Sequence, residues 1–328
     1  MTIYLHVGSH KTGTTAIQDF AFYNTEFLAK KGLLYPNLDM VGLQPKRSHL
    51  DVVEVLASRV SKKNISVQKA QEFISRLADS GIDSNSKKNI FLSAENLFRF
   101  SDSVLGTFAE DIKACLPAGV EVVPVICLRD VYSFVDSLYR NSFRPYKRRP
   151  PPVSKWVEER IQNFDYAAVV KKFESLFGSK SILVPYIPGP LYLKNFFLNF
   201  DVDIEGAAHP VKSKNISLDV VDCIAKNLLY ELGASPLILD YYNKFARNNQ
   251  INSKYTFLGK EIINFLDAKL ESSQREFCSA NPEFQGLMLE QDSLKERKLL
   301  DGEEESLAWQ RVQEFCSKRP RLRSGMEA

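Results

Sequence analysis

Residues 3–19 read Ile-Tyr-Leu-His-Val-Gly-Ser-His-Lys-Thr-Gly-Thr-Thr-Ala-Ile-Gln-Asp, and the reading of this stretch decides the fold. Ile3, Leu5 and Val7 alternate with Tyr4 and His6, which is the period of a short strand. Gly8 breaks the alternation. From Gly13 a helical spacing takes over, with Ala16, Ile17, Phe20, Phe22 and Leu28 on the apolar positions and Gly32 where a helix would stop. The chain must therefore turn sharply between Gly8 and Gly13. Such a turn aims several backbone N–H groups, together with the positive end of the helix dipole, at one point that attracts a phosphate or sulfate oxygen.

Gly8 and Gly13 have the spacing of the glycines in a Walker A loop, G-x-x-x-x-G-K-[ST], and Thr15 occupies its Ser/Thr place. Thr14, however, stands where Walker A has lysine, and the loop's lysine, Lys11, comes two residues before the second glycine. A lysine moved into the loop reaches a different bridging oxygen. The run Gly8-Ser9-His10-Lys11-Thr12-Gly13-Thr14-Thr15 resembles the 5′-phosphosulfate loop of sulfotransferases, in the form seen in glycan sulfotransferases and bacterial members. The resemblance implies a P-loop-like α/β fold and 3′-phosphoadenosine 5′-phosphosulfate (PAPS) as donor, with its bisphosphate (PAP) as product and no metal required. It also implies that the eight loop residues hold the 5′ end of the nucleotide.

The remainder of the chain supplies the other elements of an α/β fold. Gly32 to Pro36 reads as a second short strand, and a helix begins near Ser48, which places His49 in its first turn. A further helix spans 67–78. Ile90 to Ser93 is a compact strand followed at once by Glu95 and Asn96, at the edge where open parallel sheets collect ligands; Ser93 to Leu97 also resembles a segment of bacterial sulfotransferases. A helix over 101–115 leads into Val122 to Leu128, a continuous apolar run expected of a strand covered on both faces. That run delivers Arg129, with Ser137 about two turns along the next helix.

Arginine suits bidentate phosphate binding and a serine hydroxyl adds a donor. Arg129 and Ser137 match the 3′-phosphate-binding pair of sulfotransferases in type and spacing, although Val131 stands where many members have proline. Two motifs in this order specify a 3′,5′-bisphosphorylated nucleotide better than either alone. The basic, proline-broken stretch 140–149 reads as a loop, a lid or an acceptor surface. Helices near 153–162 and 166–177 precede a fifth strand at 181–185. The resemblance extends through Phe164 to Tyr166, Phe177-Gly178 and Asn215 to Leu218, covering roughly residues 1–230.

The expected fold is thus a three-layer α/β domain over 1–230 with a mainly parallel five-stranded sheet. A helical extension over 231–317 and a frayed tail over 318–328 complete the chain. From Leu228 onward the chain carries Leu228, Leu232, Phe245, Phe257, Ile262, Phe265, Leu266 and Leu270 at helix-compatible intervals and no chemical motif. At 328 residues, with 44% hydrophobic and 25% charged residues and a net charge of +3, the composition is that of a globular protein with no overall drive toward nucleic acid. Five widely spaced cysteines without a C-x-x-C pair indicate neither zinc nor a disulfide framework. The chain shows no leader-like start and no apolar run of spanning length, which predicts a cytoplasmic protein and, with the resemblance, a bacterial source.

The chemistry expected is in-line sulfuryl transfer to an acceptor hydroxyl, with a glycan favoured as acceptor. Lys11 would stabilise the leaving bridge oxygen. The acceptor needs a general base, and histidine has the matching reference pKa of about 6.5. His49 is the first choice, with His10 and Glu95 next, while His6 is expected to be structural and His209 has no evident partner. The alternatives are a magnesium-dependent P-loop NTPase or kinase and a nucleotide-binding protein without turnover.

Overall fold

The computed structural model describes residues 1–9, 11–62, 65–82, 88–143, 150–189, 191–209, 218–285, 298–300 and 302–318. The chain forms two compact units. The first comprises 1–129 and 166–213, and the second 130–165 and 214–328.

The first unit is built on a five-stranded, all-parallel sheet in the order β2-β3-β1-β4-β5. Its strands are β1 (Thr2–His6), β2 (Leu33–Leu34), β3 (Asn89–Ser93), β4 (Glu121–Leu128) and β5 (Ile182–Pro185). The alternating segment forms the central strand as its period predicts, and His6 pairs in register with Ser93 on one side and Val125 on the other. The ends of β1 and β3, and of β4 and β5, therefore open at one edge, with β1 at the point where strand order reverses.

Both faces of the sheet are covered. On one face, α1 (Thr14–Tyr23), α2 (Thr25–Lys30) and α9 (Tyr192–Leu198) enclose a core that includes Ile17, Phe20, Phe91, Phe196 and Phe197. The other helices of this unit are α3 (Leu50–Ser58), α4 (Val67–Ile82), α5 (Asp102–Cys115) and α8 (Tyr166–Phe177). Ile3 and Leu5 are fully buried, but so is His6, because the sheet is covered on both sides. Burial of a Phe or Leu side chain stabilises by roughly 1.5–3 kcal/mol, so this aromatic layer dominates the sheet's attachment to α1 and α9.

The second unit is helical: α6 (Val131–Ser142), α7 (Val153–Glu158), α10 (Val220–Glu231), α11 (Pro236–Asn248), α12 (Lys260–Ala280) and α13 (Glu303–Ser317). The division expected at 230/231 is not where the chain divides. Residues 130–165 join the late helices because their buried groups find partners there. Asp136 accepts from Thr256 Oγ1 (2.9 Å) and Phe257 N (3.0 Å), Phe143 stacks on Phe257 at 5.4 Å, and Gln274 Nε2 donates to the Phe164 carbonyl (2.8 Å). Tyr255–Thr256 also depart from the helical expectation and pair with Lys298–Leu299 in a small parallel sheet. Residues 144–149 of the basic stretch, 215–217 of the segment ending at Leu218, and 319–328 of the expected tail lie outside the described residues. Among the described residues no helix is long and apolar enough to cross a membrane.

Candidate functional site

The turn after β1 is left-handed at Gly8 (φ 51°), Lys11 (φ 70°) and Gly13 (φ 71°). Lys11 holds a conformation that costs an L-residue about 1–2 kcal/mol, so the surroundings must impose it. Three carbonyls of the loop are captured by donors of the first unit. Ser9 O accepts from Thr12 Oγ1 (2.5 Å), Lys11 O from Arg129 Nη1 (3.3 Å) and Thr12 O from the Tyr192 hydroxyl (2.8 Å). Across a trans peptide the N–H points opposite to the C=O, so the amides of Thr12 and Gly13 are directed away from Arg129 and Tyr192 respectively. Gly13 is also the N-cap of α1, whose intrahelical bonds begin at Ala16 N and Ile17 N on the Gly13 carbonyl. The dipole of α1 adds to the same positive end.

The loop is held from below by Ser9, whose hydroxyl donates to the Cys127 carbonyl near the end of β4 (2.7 Å). A side chain would clash at Gly13 and be tightly crowded at Gly8. A Cβ on Gly13 would stand 2.7 Å from Tyr192 Cε1, and one on Gly8 would stand 3.0 Å from Thr14 Cγ2 and 3.3 Å from Glu95 Cβ.

Several of the expected residues meet here. Glu95, at the start of a 3-10 turn just beyond β3, accepts a hydrogen bond from Thr14 Oγ1 at the positive end of α1. Thr14 thus spends its hydroxyl proton on a carboxylate in the place where Walker A carries lysine. Arg129 leaves the end of β4 and lies over the Tyr186 ring at 5.5 Å, while its own carbonyl accepts from Tyr166 (2.8 Å). Lys11 and Thr15 are partly exposed. Ser137 is buried on α6, and the division between units falls between Arg129 and Asp130, so the two members of the expected pair belong to different units. His10 lies outside the described residues.

His49 is elsewhere in its chemistry. It caps α3 and is 1% exposed, so it is closed to a substrate hydroxyl. Its Nδ1 accepts from Ser93 N (3.0 Å) and its Nε2 donates to the Pro36 carbonyl (2.8 Å), while its own amide donates to Ser93 O (2.9 Å). Burial lowers its pKa to about 4. The ring is a structural tie between the segment after β2, the end of β3 and α3, and both nitrogens are used in it. His6 is structural as expected: it is fully buried, and burial lowers it to about 3.

Sequence reasoning missed Tyr186, Tyr192, Cys127 and Tyr166. Tyr186 follows a predicted strand at the ligand edge, the same signal that singled out Glu95. Tyr192 and Cys127 sit in no local motif, and their partners are long-range. Comparison with protein-family models, with curated proteins and with solved structures gives no match.

Proposed function

We propose that this chain is a sulfotransferase that moves a sulfuryl group from PAPS to an acceptor hydroxyl, with a carbohydrate as the favoured acceptor. The observation that carries the reading is the loop's hydrogen bonding: the carbonyls of Ser9, Lys11 and Thr12 are taken up by protein donors, and the amides of Thr12 and Gly13 face the other way at a helix N-terminus. Such a cradle fits an anionic 5′-phosphosulfate. The donor nucleotide, when bound, supplies an electrophilic sulfuryl group on an anhydride to phosphate.

The residues of the chain have the following parts. Backbone amides from Thr12 to Thr15 hold the 5′-phosphate, with Gly8, Ser9 and Gly13 shaping the turn. Lys11 places a cation at the leaving bridge oxygen, and Arg129 is assigned to the 3′-phosphate. Glu95 is the proposed base, its carboxylate taking the proton of the acceptor hydroxyl as the new bond forms. The assignment passes from His49 to Glu95 because both ring nitrogens of His49 are bonded to backbone. The five cysteines, widely spaced and without a C-x-x-C pair, fit a reducing, cytoplasmic setting.

The test has two parts. Calorimetric titration with PAP is expected to show binding that needs no magnesium and exceeds that of ADP or ATP with magnesium; preference for ATP with magnesium would instead make the chain a P-loop NTPase or kinase. Glu95→Gln should lower sulfuryl transfer by about 10²–10⁴-fold, the span typical of general-base loss, and leave PAP affinity nearly unchanged. Transfer undiminished in that variant removes Glu95 from the mechanism.

A further inference from the structure

Behind the loop, six polar residues of the first unit are connected in one line. Gln18 Nε2 donates to Ser93 Oγ (3.0 Å), Ser93 Oγ lies 2.9 Å from His6 Nδ1, and His6 Nε2 lies 3.6 Å from Cys127 Sγ. Cys127 Sγ is in turn 3.2 Å from the Tyr192 hydroxyl, which is 2.8 Å from the Thr12 carbonyl. None of the six is more than 8% exposed.

Counting protons fixes the direction of the line. The Thr12 carbonyl has no proton, so the phenol proton of Tyr192 goes to it. The contact between Tyr192 and Cys127 then needs the thiol's proton, which the thiol retains because burial pushes its pKa up to about 12. With that proton on the phenol oxygen, the contact between Cys127 and His6 needs Nε2–H. The Nδ1 atom is then the acceptor for the Ser93 hydroxyl, whose oxygen accepts from Gln18. The opposite imidazole tautomer would turn the thiol proton back toward His6, leaving the phenol–sulfur contact without one and the Ser93 proton without an acceptor.

We propose that Tyr192 is a positioning residue for the anion-binding loop: its phenol ends a one-way chain of hydrogen bonds that begins at Gln18 and locks the Thr12–Gly13 peptide with its N–H toward the bound anion. This rests on the proposed reading of the loop and adds to it the reason why the loop stays organised. Lys11 and Gly13 both sit at positive φ, and for Lys11 this strained conformation persists only where the surroundings fix the adjoining peptides against rotation. The Tyr192 ring, packed against Gly13 on the same side, blocks that rotation sterically as the hydroxyl blocks it chemically.

The experiment uses the full chain in two measurements. In the first, ¹⁵N NMR of the His6 ring, without ligand, should show the proton on Nε2; a proton on Nδ1 overturns the chain. In the second, Tyr192→Phe should weaken PAP binding about tenfold, which is about 1.4 kcal/mol. Tyr35→Phe serves as comparison. It removes a buried phenol that also donates to a backbone carbonyl, that of Arg47 (2.5 Å), and it should leave PAP affinity unchanged. If Tyr192→Phe binds within about twofold of the parent while losing stability as Tyr35→Phe does, Tyr192 is merely structural and the proposal fails. If the parent binds no PAP, it is the functional reading that fails. The relay then stands on the Nε2 proton together with a Gly13 amide shift that moves in Tyr192→Phe and not in Tyr35→Phe, and falls without either.

Discussion

Gly13→Ala tests the loop's construction directly, and Gly42→Ala supplies its measure. The two glycines have nearly the same backbone, φ 71° at Gly13 and 69° at Gly42. Either substitution therefore carries the left-handed penalty of an L-residue, about 1–2 kcal/mol. At Gly42 the added methyl meets nothing within 4 Å. At Gly13 it meets Tyr192 Cε1 at 2.7 Å and Tyr186 Cε2 at 3.2 Å. The Tyr192 ring is 7% exposed and edge-packed on Tyr186 at 4.8 Å, so it has little room to retreat. Overpacking of this kind costs about 1–3 kcal/mol, and pulling the phenol off the Thr12 carbonyl costs about 1–3 kcal/mol more if that carbonyl is left unsatisfied. Gly13→Ala should therefore exceed Gly42→Ala by roughly 2–6 kcal/mol. Urea unfolding followed by far-ultraviolet circular dichroism reads the difference. The two tryptophans, Trp156 and Trp309, belong to the second unit and do not report on the loop. A difference under about 1 kcal/mol would refute the claim that Tyr192 is packed against the turn. A second substitution, Tyr192→Leu, should recover part of the loss in the Gly13→Ala background, since it removes the atoms that clash.

Acid should destabilise the first unit through the buried histidines His6 and His49. Their folded pKa values, about 3 for His6 and about 4 for His49, lie below the ordinary value of 6.5, so the stability they contribute is fully present above pH 6.5 and is lost as pH falls through that value toward 4 and 3. Unfolding near pH 5 should take up close to two protons at these sites, and about one fewer in His49→Gln; stability independent of pH between 7 and 5 would contradict the burial argument. Arg129→Ala removes both a cation and the donor to the Lys11 carbonyl, and PAP affinity should fall about 10–100-fold, read by calorimetry, with an unchanged affinity counting against the site. In the second unit, Asp136 is fully buried, pairs with Arg140 Nη2 at 2.9 Å and accepts from Thr256 and Phe257. Asp136→Ala should cost on the order of 3–5 kcal/mol, followed by the fluorescence of Trp156, and a loss under about 1 kcal/mol would mean that 130–165 do not depend on the late helices.

Much of the first unit is already written in local sequence. A period of two in Ile3, Leu5 and Val7, the break at Gly8, the change to helical spacing at Gly13 and the continuous apolar run before Arg129 are short-range signals, and each corresponds to a strand, turn or helix found in place. Glu95 was legible for the same reason, because a residue just past a parallel strand must stand at the edge where loops and ligands meet. Where the chain divides into units was not legible, since it depends on which late residues satisfy Asp136 and cover Phe143. His49 shows the same limit in one residue. Its type and its place after the second strand suit a base, but the backbone of Pro36 and Ser93 closes on both ring nitrogens, and only the folded chain brings those groups together. Sequence alone determined that a sharp, glycine-bracketed turn into a helix follows the first strand, because backbone dihedral preferences act over a few residues. Tertiary structure decided which way the peptides of that turn face. Those orientations are set by Arg129 and Tyr192, which reach the loop across 118 and 180 residues of chain, a distance over which local periodicity carries no information.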